Sequence, residues 1–262
     1  MTDQGASIGL VTRRDHDGDP VAEAIVRAIA GPLVAAGMRF VTRSVTDEES
    51  ELRAYRLWAR VGGIAGVILL GAVDRDARIE LLRQIDMPFV ALAPASVDVD
   101  YPAVTVDGTA ASTALTAFLR SRPAARWVYV TALPAPEPFG LDGDESDHAI
   151  EIVHTDDVAG EAVSIGASAS SPIALIVDDD HDAVAVLGGL EERGVRVPQD
   201  VALICWSDSL GCQSARRPIT AIDRRGREIG ALLGAAAIAA IHNDEAGTVA
   251  APEPVVVVRE ST

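Results

Sequence analysis

A strand, a helix and a second strand are predicted within residues 171–209, SPIALIVDDDHDAVAVLGGLEERGVRVPQDVALICWSDS. Residues 173–177 and 201–205 are short apolar runs with the length of buried strands. Between them, apolar residues recur at helical spacing until Gly194, a residue type that commonly follows the last helical turn. Because a βαβ unit joins parallel strands, we expect both strands to be buried on their two faces.

Polar residues follow both of these predicted strands. Residues 178–182, DDDHD, come directly after the first strand, and residues 207–209, SDS, lie just beyond the second. Ligands of open parallel α/β sheets bind beyond the carboxyl ends of the strands. The sequence therefore predicts that both polar clusters lie at a ligand-binding edge.

Strands and helices alternate over most of the chain, which predicts a doubly wound α/β fold. The predicted strands are residues 8–11, 40–45, 67–70, 89–92, 103–106, 127–131, 150–153, 219–222 and 255–259. The predicted helices are a segment from Pro20 to Gly37 that Pro32 should kink, and residues 47–60, 76–85, 109–119 and 227–242. Residues 158–166 are predicted as irregular or helical, and an irregular loop is expected after Asp208. Residues 133–148, with three prolines and five acids, are predicted to form a long exposed loop.

Composition excludes several functional classes. The chain has 22 basic residues, all arginine, against 39 acidic ones, for a net charge of −17. Such a charge repels nucleic-acid phosphates, and 4% aromatic content does not support a base-stacking surface. No apolar stretch reaches the roughly 18 residues of a membrane span, and residues 1–7 lack the features of a secretion signal. We therefore expect a cytoplasmic protein that does not bind DNA through this part of the chain.

The two cysteines, Cys205 and Cys212, do not form a disulfide framework, which agrees with a reducing compartment. Cys205 is interpreted as a small buried hydrophobic residue rather than as a reactive thiol. Residues 12–19 contain only Gly18, so no glycine-rich phosphate loop follows the first strand. The sequence predicts no cofactor.

Two segments resemble the lactose-repressor (LacI/GalR) family. Residues 191–201, EERGVRVPQDV, are similar to a passage of that family's effector-binding region, and residues 257–262, VVREST, are similar to its C-terminus. Supporting matches occur in the same order as in the family at residues 8–11, 66–69, 106–109 and 218–222, the last followed by Gly230.

The resemblance implies an α/β protein with two Rossmann-like lobes, the periplasmic-binding-protein-like type I fold, with an effector bound in the cleft between them. It implies one lobe of residues 1–122 with 225–246, and a second of residues 123–224 with 247–262. Crossings between the lobes are expected near residues 121–125, 222–225 and 246–252. The family also implies a homodimer that senses a small metabolite, commonly a sugar.

The chain departs from the family pattern in two places. Only residues 1–7 precede the first strand, where the family carries a helix-turn-helix head. DNA binding is therefore expected only through a head that the sequence does not contain. Residues 133–148 stand where the family has a helix bearing an effector-binding arginine, so we expect a shortened second lobe.

The candidate ligand-binding residues follow predicted strands. Asp107 and Asp179 match family positions that contact the effector, although Asp107 could instead be an N-cap or loop carboxylate. The next acid, Asp180, is interpreted as a helix-capping residue rather than as a ligand contact. Ser207 matches a position that is often Asp in sugar-responsive members. The full set is Asp15, Asp19, Asp107, Asp179, Trp206, Ser207, Asp208 and Arg224. For Trp206 a place in the core, and for Arg224 a surface ion pair, remain alternatives.

Metal binding by residues 178–182 is disfavoured, because successive side chains of a strand point in opposite directions. A catalytic triad of Ser207, His181 and Asp208 is also disfavoured, since no nucleophile-elbow motif is present. The leading hypothesis is therefore a non-enzymatic effector-sensing domain of a LacI/GalR-type regulator. The alternative is a freestanding ligand-binding or interaction module with a degenerate pocket and no DNA binding.

Overall fold

The computed structural model describes residues 5–13, 20–122, 124, 126–132, 150–242 and 247–262. The elements in chain order are β1 (Ser7–Arg13), α1 (Pro20–Ala35), β2 (Arg39–Val45), α2 (Glu48–Val61), β3 (Ile64–Leu69), α3 (Ala77–Gln84), β4 (Phe89–Pro94), β5 (Ala103–Val106), α4 (Ala110–Arg120), β6 (Arg126–Thr131), β7 (Ile150–His154), α5 (Val158–Ser168), β8 (Ile173–Val177), α6 (Asp180–Glu192), β9 (Val201–Cys205), α7 (Leu210–Ser214), β10 (Thr220–Asp223), α8 (Gly226–Ile241), β11 (Thr248–Ala250) and β12 (Val255–Val257).

The chain divides into two compact units, each with a six-stranded sheet. The first unit is Met1–Gly108 with Arg225–Pro252, and the second is Thr109–Arg224 with Glu253–Thr262. The first sheet has the strand order β11-β5-β4-β3-β1-β2, and the second has the order β12-β10-β9-β8-β6-β7. Within the described residues, all paired strands are parallel except β12, which runs antiparallel to β10. This architecture confirms the predicted α/β class and the periplasmic-binding-protein-like type I fold.

Both faces of the first sheet are buried, because side chains alternate along each strand. On β3, Ile68 packs in one core with residues of α1 and α8, whereas Val67 and Leu69 pack in another with residues of α2 and α3. The helices α1 and α8 approach closely at Gly230, where a Cβ atom would lie 2.3 Å from the carbonyl oxygen of Ile25. A larger residue there would force these two helices apart.

The second sheet confirms the βαβ unit predicted from residues 171–209. Strands β8 and β9 pair in parallel from Ile173 opposite Val201 to Val177 opposite Cys205, and α6 packs on them through Val186 and Leu190. The opposite face of this sheet is covered by α4.

The boundary between the units differs from the predicted one at two places. Residues 109–122 were expected in the first lobe, but Leu115 and Leu119 of α4 pack against Trp127 and other residues of the second sheet. Residues 248–250 were expected near a crossing, but β11 pairs with β5 in the first sheet. In the structure, the chain passes between the units after Gly108, Arg224 and Pro252.

Two further segments are more regular than expected. Residues 158–168 form the helix α5, capped by Asp157, and the loop expected after Asp208 contains the short helix α7. All of the predicted loop 133–148 lies outside the described residues, as do Asp15 and Asp19 of the first βα loop. Among the described residues, no helix combines the length and apolar composition of a membrane span.

Candidate functional site

The carboxyl ends of β6, β8, β9 and β10 lie side by side, since these strands are adjacent and parallel. The residues that follow or end these strands form what we call the second-sheet edge: residues 131–132, 178–180, 206–209 and 223–224. Five predicted site residues belong to it: Asp179, Trp206, Ser207, Asp208 and Arg224. The sheet topology therefore brings together the polar residues that follow these strands, as the sequence predicted.

Asp178 connects the ends of β6 and β8. Its carboxylate accepts hydrogen bonds from the hydroxyls of Tyr129 and Thr131, the latter at 2.7 Å, and from the backbone N–H of Ala132 at 3.3 Å. Burial, reinforced by the neighbouring Asp178 carboxylate, raises the pKa of Tyr129, so the phenol remains a protonated donor. Asp178 therefore fixes the end of β6 rather than presenting a free carboxylate.

The next two acids bond to parts of the protein as well. Asp179 is the N-cap of α6, and its side chain accepts from the backbone N–H of Asp182 at 2.9 Å. Asp180 accepts from the hydroxyl of Ser209 at 2.6 Å and so links the segment after β8 to that after β9. Burial, together with the nearby Asp179 charge, raises the pKa of Asp182. The ligand role predicted for Asp179 thus falls on a residue that also caps a helix.

Trp206, Ser207 and Arg224 are in mutual contact. Arg224 donates from Nη2 to the hydroxyl oxygen of Ser207 at 2.8 Å, and its guanidinium carbon lies 5.9 Å from the centre of the Trp206 ring. The Trp206 ring in turn packs at 6.1 Å, centre to centre, against Tyr129. The side chain of Trp206 is half-buried, so the cluster combines an aromatic face, a hydroxyl and a cation.

Asp208 is held by the C-terminal segment. Its Oδ2 atom accepts from Nη2 of Arg259 at 2.8 Å, and both side chains are largely buried, at 13% and 15% exposure. Arg259 also donates to the carbonyl of Ile219 at 2.8 Å, and the buried hydroxyl of Ser261 donates to the carbonyl of Leu203 at 2.6 Å. These contacts give the C-terminal REST sequence a structural role beneath the edge.

The remaining candidate, Asp107, belongs to the first unit. It follows β5 directly and is exposed at the carboxyl edge of the first sheet.

Among the described residues, no group of three His, Cys, Asp or Glu side chains is arranged to hold a metal ion. Two members of the disfavoured catalytic triad are placed as follows. The hydroxyl of Ser207 accepts a hydrogen bond from the guanidinium of Arg224, and the side chain of His181 is exposed on α6.

Sequence reasoning missed a buried charge network in the first unit. Arg78 contacts Asp76 at 2.6 Å and Glu51 at 3.3 Å, and Glu51 accepts from the hydroxyl of Tyr55 at 2.6 Å. Arg78 also donates to the carbonyls of residues 70 and 71, which follow β3. Charged residues on amphipathic helices are normally solvent-exposed, so periodicity gives no signal for such a network.

Comparison with known proteins places this architecture in a family. A family described as periplasmic binding protein-like domain matches residues 119–262, more than half of the chain. The chain belongs to the periplasmic binding protein-like domain family. The match includes the second-sheet edge and the C-terminal segment that holds Asp208.

Solved structures of this family's fold agree over the whole chain. A LacI family transcriptional regulator from Bifidobacterium animalis subsp. lactis has 26% identity and a TM-score of 0.81, over 98% of this chain and 97% of that one. The probable maltose operon transcriptional repressor MalR from Staphylococcus aureus has 20% identity and a TM-score of 0.75, over 99% of each chain.

A curated relative agrees over a shorter segment. The probable opine utilization operon repressor of Rhizobium rhizogenes is 29% identical over 75 residues, which are 29% of this chain and 38% of that protein. The resemblance of this periplasmic binding protein-like chain to the effector-binding domains of LacI/GalR-type transcriptional regulators is confirmed.

Proposed function

We propose that this domain senses a small, sugar-like metabolite for a LacI/GalR-type transcriptional regulator, and that the effector binds at the second-sheet edge. The observation that carries the proposal is the contact of Trp206, Ser207 and Arg224 at the carboxyl ends of β9 and β10. An aromatic face beside a few convergent polar groups is the usual composition of a small-molecule site.

The donors and acceptors of this cluster favour a hydroxylated ligand. The ring of Trp206 offers an apolar face, on which the C–H face of a sugar ring can stack. Arg224 provides charged N–H donors, and the buried hydroxyl of Ser207 accepts from one of them and so orients the guanidinium. The maltose operon named for one of the structural relatives supports the same ligand class.

The output proposed for the domain is control of transcription. We propose a cytoplasmic homodimer without catalytic activity, which acts on DNA through a separate N-terminal head. A net charge of −17 supports the proposal that a separate head binds DNA, because a strongly acidic surface repels the phosphate backbone. An effector that binds one conformation more tightly shifts the population toward it, and the head would respond to that shift.

A thermal-shift screen against sugars, nucleosides and amino acids tests the proposal. A compound that binds only the folded state raises the melting temperature, and the increase grows with the logarithm of its concentration above the Kd. We expect a sugar or a closely related polyol to do so, and Arg224→Ala to abolish the shift. Arg193→Ala is the matched control, since Arg193 is exposed on the same unit at the end of α6. No shift across the panel would contradict the proposal.

A second candidate is a freestanding module with a degenerate pocket. It is favoured by the engagement of Asp178, Asp179 and Asp208 in hydrogen bonds within the protein, so these three carboxylates of the second-sheet edge already have protein partners. The gene context separates the two candidates. A helix-turn-helix encoded in frame with this domain supports the regulator, and its absence together with a flat ligand screen supports the module.

A further inference from the structure

An exposed Asp–Gly pair lies at one of the passages between the two units. The sequence has three such pairs, and those at residues 17–18 and 142–143 lie outside the described residues. The third, Asp107–Gly108, lies between β5 and Thr109, the N-cap of α4, and both of its residues are exposed. The first unit ends at Gly108, where the chain passes into the second.

An aspartate that precedes a glycine is chemically labile. The side-chain carbonyl carbon of an aspartate can close a five-membered ring with the backbone nitrogen of the next residue. A Cβ atom on that next residue hinders the approach, and glycine has none. Ring closure also requires the backbone to rotate, so the hydrogen-bonded backbone of a helix or a strand suppresses the reaction.

The backbone around this pair meets these requirements. The last ladder contact of β5 is at Val106, which pairs with Pro94 and accepts from the N–H of Ala95 at 2.8 Å. Neither residue of the pair belongs to a strand or a helix. Among the described residues, the N–H of Gly108 donates to no main-chain carbonyl. The nitrogen that must react is therefore not held by the sheet or by α4.

Other aspartates that precede small residues are held more firmly. Asp76, before Ala77, is buried and caps α3. The side chain of Asp208, before Ser209, is 13% exposed and accepts from Arg259 at 2.8 Å. Burial and bonding oppose the rotation that ring closure needs. The exposed pair after β5 is therefore the most favourable position among the described aspartates.

We propose that Asp107–Gly108 is a modification site, at which the folded chain converts the aspartate to isoaspartate and the first turn of α4 is thereby loosened. The reaction needs only water and takes place within the chain. Neither part of the proposal depends on the effector site proposed above.

The reaction balances without an oxidant or a reductant. The backbone nitrogen of Gly108 attacks the side-chain carbonyl carbon of Asp107, a C–N bond forms, and the carboxyl C–O bond breaks. The hydroxyl group of the carboxyl leaves as water with the amide proton, which gives a succinimide. Water then adds to either ring carbonyl. Addition at the side-chain carbon restores aspartate, and addition at the main-chain carbon gives isoaspartate of unchanged mass.

Isomerisation changes the connection that leads into α4. The main chain then runs through the side-chain carbons of Asp107, which adds one carbon atom before the nitrogen of Gly108. The carbonyl of Thr109 accepts from the N–H of Thr113 at 2.9 Å and from the hydroxyl of Ser112 at 2.8 Å. These contacts begin α4 directly after the lengthened connection, so we expect them to weaken.

Incubation of the purified chain at neutral pH and physiological temperature, followed by trypsin and mass spectrometry, tests the modification. The tryptic peptide 84–120 contains Asp107 and no other Asp–Gly pair. We expect electron-transfer fragmentation to locate isoaspartate at residue 107, formed at a rate within a few-fold of that in a synthetic peptide of residues 103–112.

Two variants serve as controls for the chemistry. Asp107→Glu should abolish the modification, since the ring would need six members. Gly108→Ala should slow it several-fold, and alanine fits because Gly108 does not have a positive φ. A folded chain without isoaspartate at residue 107 while the synthetic peptide isomerises, or an equal rate in Gly108→Ala, would overturn the proposal.

Hydrogen exchange shows whether the modification reaches α4. Residues 110–113 should exchange faster in the incubated chain, and repair by an isoaspartyl methyltransferase with S-adenosylmethionine should reverse the change. Asp107→Glu incubated in parallel should show no increase. Unchanged exchange in a chain that carries isoaspartate would overturn the claim that α4 is loosened. Neither measurement uses an effector, so a flat ligand screen and a failed isomerisation experiment are distinguishable results.

Discussion

The carboxyl edges of the two sheets are held in place by different chemistry. In the first unit, the buried guanidinium of Arg78 binds the carbonyls that follow β3, while Asp76 and Glu51 balance its charge. In the second unit, Asp178 accepts hydrogen bonds from two neutral hydroxyls, on Tyr129 and Thr131, and from a backbone amide. One edge is fixed by opposite charges and the other by neutral donors around a single charge.

The difference in side-chain burial explains why opposite charges hold one edge and neutral donors hold the other. Arg78 is 10% exposed and Glu51 is 1% exposed, so each charge requires an opposite charge to offset its desolvation. Asp178 is only half-buried, and its carboxylate is held by three hydrogen-bond donors without a buried cation beside it. The comparison predicts that substitutions at the first edge reduce the free energy of unfolding more than substitutions at the second edge.

Removing the cation at the first edge should lower the free energy of unfolding more than any other substitution proposed below. Arg78→Met leaves the carboxylates of Asp76 and Glu51 buried without their partner, and we expect a loss of about 3–5 kcal/mol in the free energy of unfolding. Urea denaturation measures the loss, and hydrogen exchange should locate it in peptides of the first unit.

The matched control is Arg56→Ala, since Arg56 is exposed on α2. It should change stability by less than about 0.5 kcal/mol. A loss for Arg78→Met no larger than that of this control would remove the contrast between the two edges.

Removing the acid at the second edge should cost less. Asp178→Ala leaves the hydroxyls of Tyr129 and Thr131 without their acceptor, and we expect a loss of about 2–3 kcal/mol. Increased hydrogen exchange should be confined to the second unit, with the exposed Asp156→Ala as its control. A loss equal to that of Arg78→Met would show that charge balance does not distinguish the edges.

The C-terminal segment should contribute a smaller amount to the second unit. The buried hydroxyl of Ser261 accepts from the backbone N–H of Thr220 at 2.8 Å and donates to Leu203. Ser261→Ala leaves that N–H unsatisfied, so we expect a loss of about 1–2 kcal/mol in urea denaturation. Ser214→Ala, on the exposed side of α7, should be close to neutral. Equal stability of the two variants would argue against stabilisation of the second unit by the C-terminal segment.

Acid should weaken the first edge through Asp76. Burial opposes ionisation of this carboxyl, but the hydrogen bonds and charge of Arg78 lower its pKa below the usual 3.8. A depressed pKa stabilises the fold above the unfolded-state pKa, and this contribution is lost as the pH falls below about 3.8 toward the folded-state value.

Urea denaturation at several acidic pH values checks this dependence. Asp76→Asn should reduce the slope of stability against pH in that range, and Asp74→Asn, 82% exposed, should not. An unchanged slope in Asp76→Asn would mean that the network does not depend on the charge of this residue.

Strands and helices were predictable wherever the hydrophobic pattern of a single segment indicated them. The strands at residues 173–177 and 201–205 and the position of the polar residues after them follow from local hydrophobic pattern and from the rule for parallel sheets. The strand β11 was missed because three exposed residues have no hydrophobic pattern, and it exists only through pairing with β5.

The site was predictable as a location but not as a set of contacts. The helix cap was predicted at Asp180, whereas in the structure Asp179 caps α6 and Asp180 is the first residue of the helix. The pairing of Asp208 with Arg259 joins residues 51 positions apart, so no local pattern indicates it. Nor does spacing reveal that Arg224 donates a hydrogen bond to the hydroxyl of Ser207.

The amino-acid sequence alone determined the α/β class, the order of most elements and the family resemblance, because hydrophobic periodicity and turn residues act over a few neighbouring positions. Tertiary structure decided which charges are buried together, which acids are already hydrogen-bonded, and that both cysteines lie in the core of the second unit. These properties depend on distances between segments far apart in the chain, and such distances are set only when the sheets and helices pack.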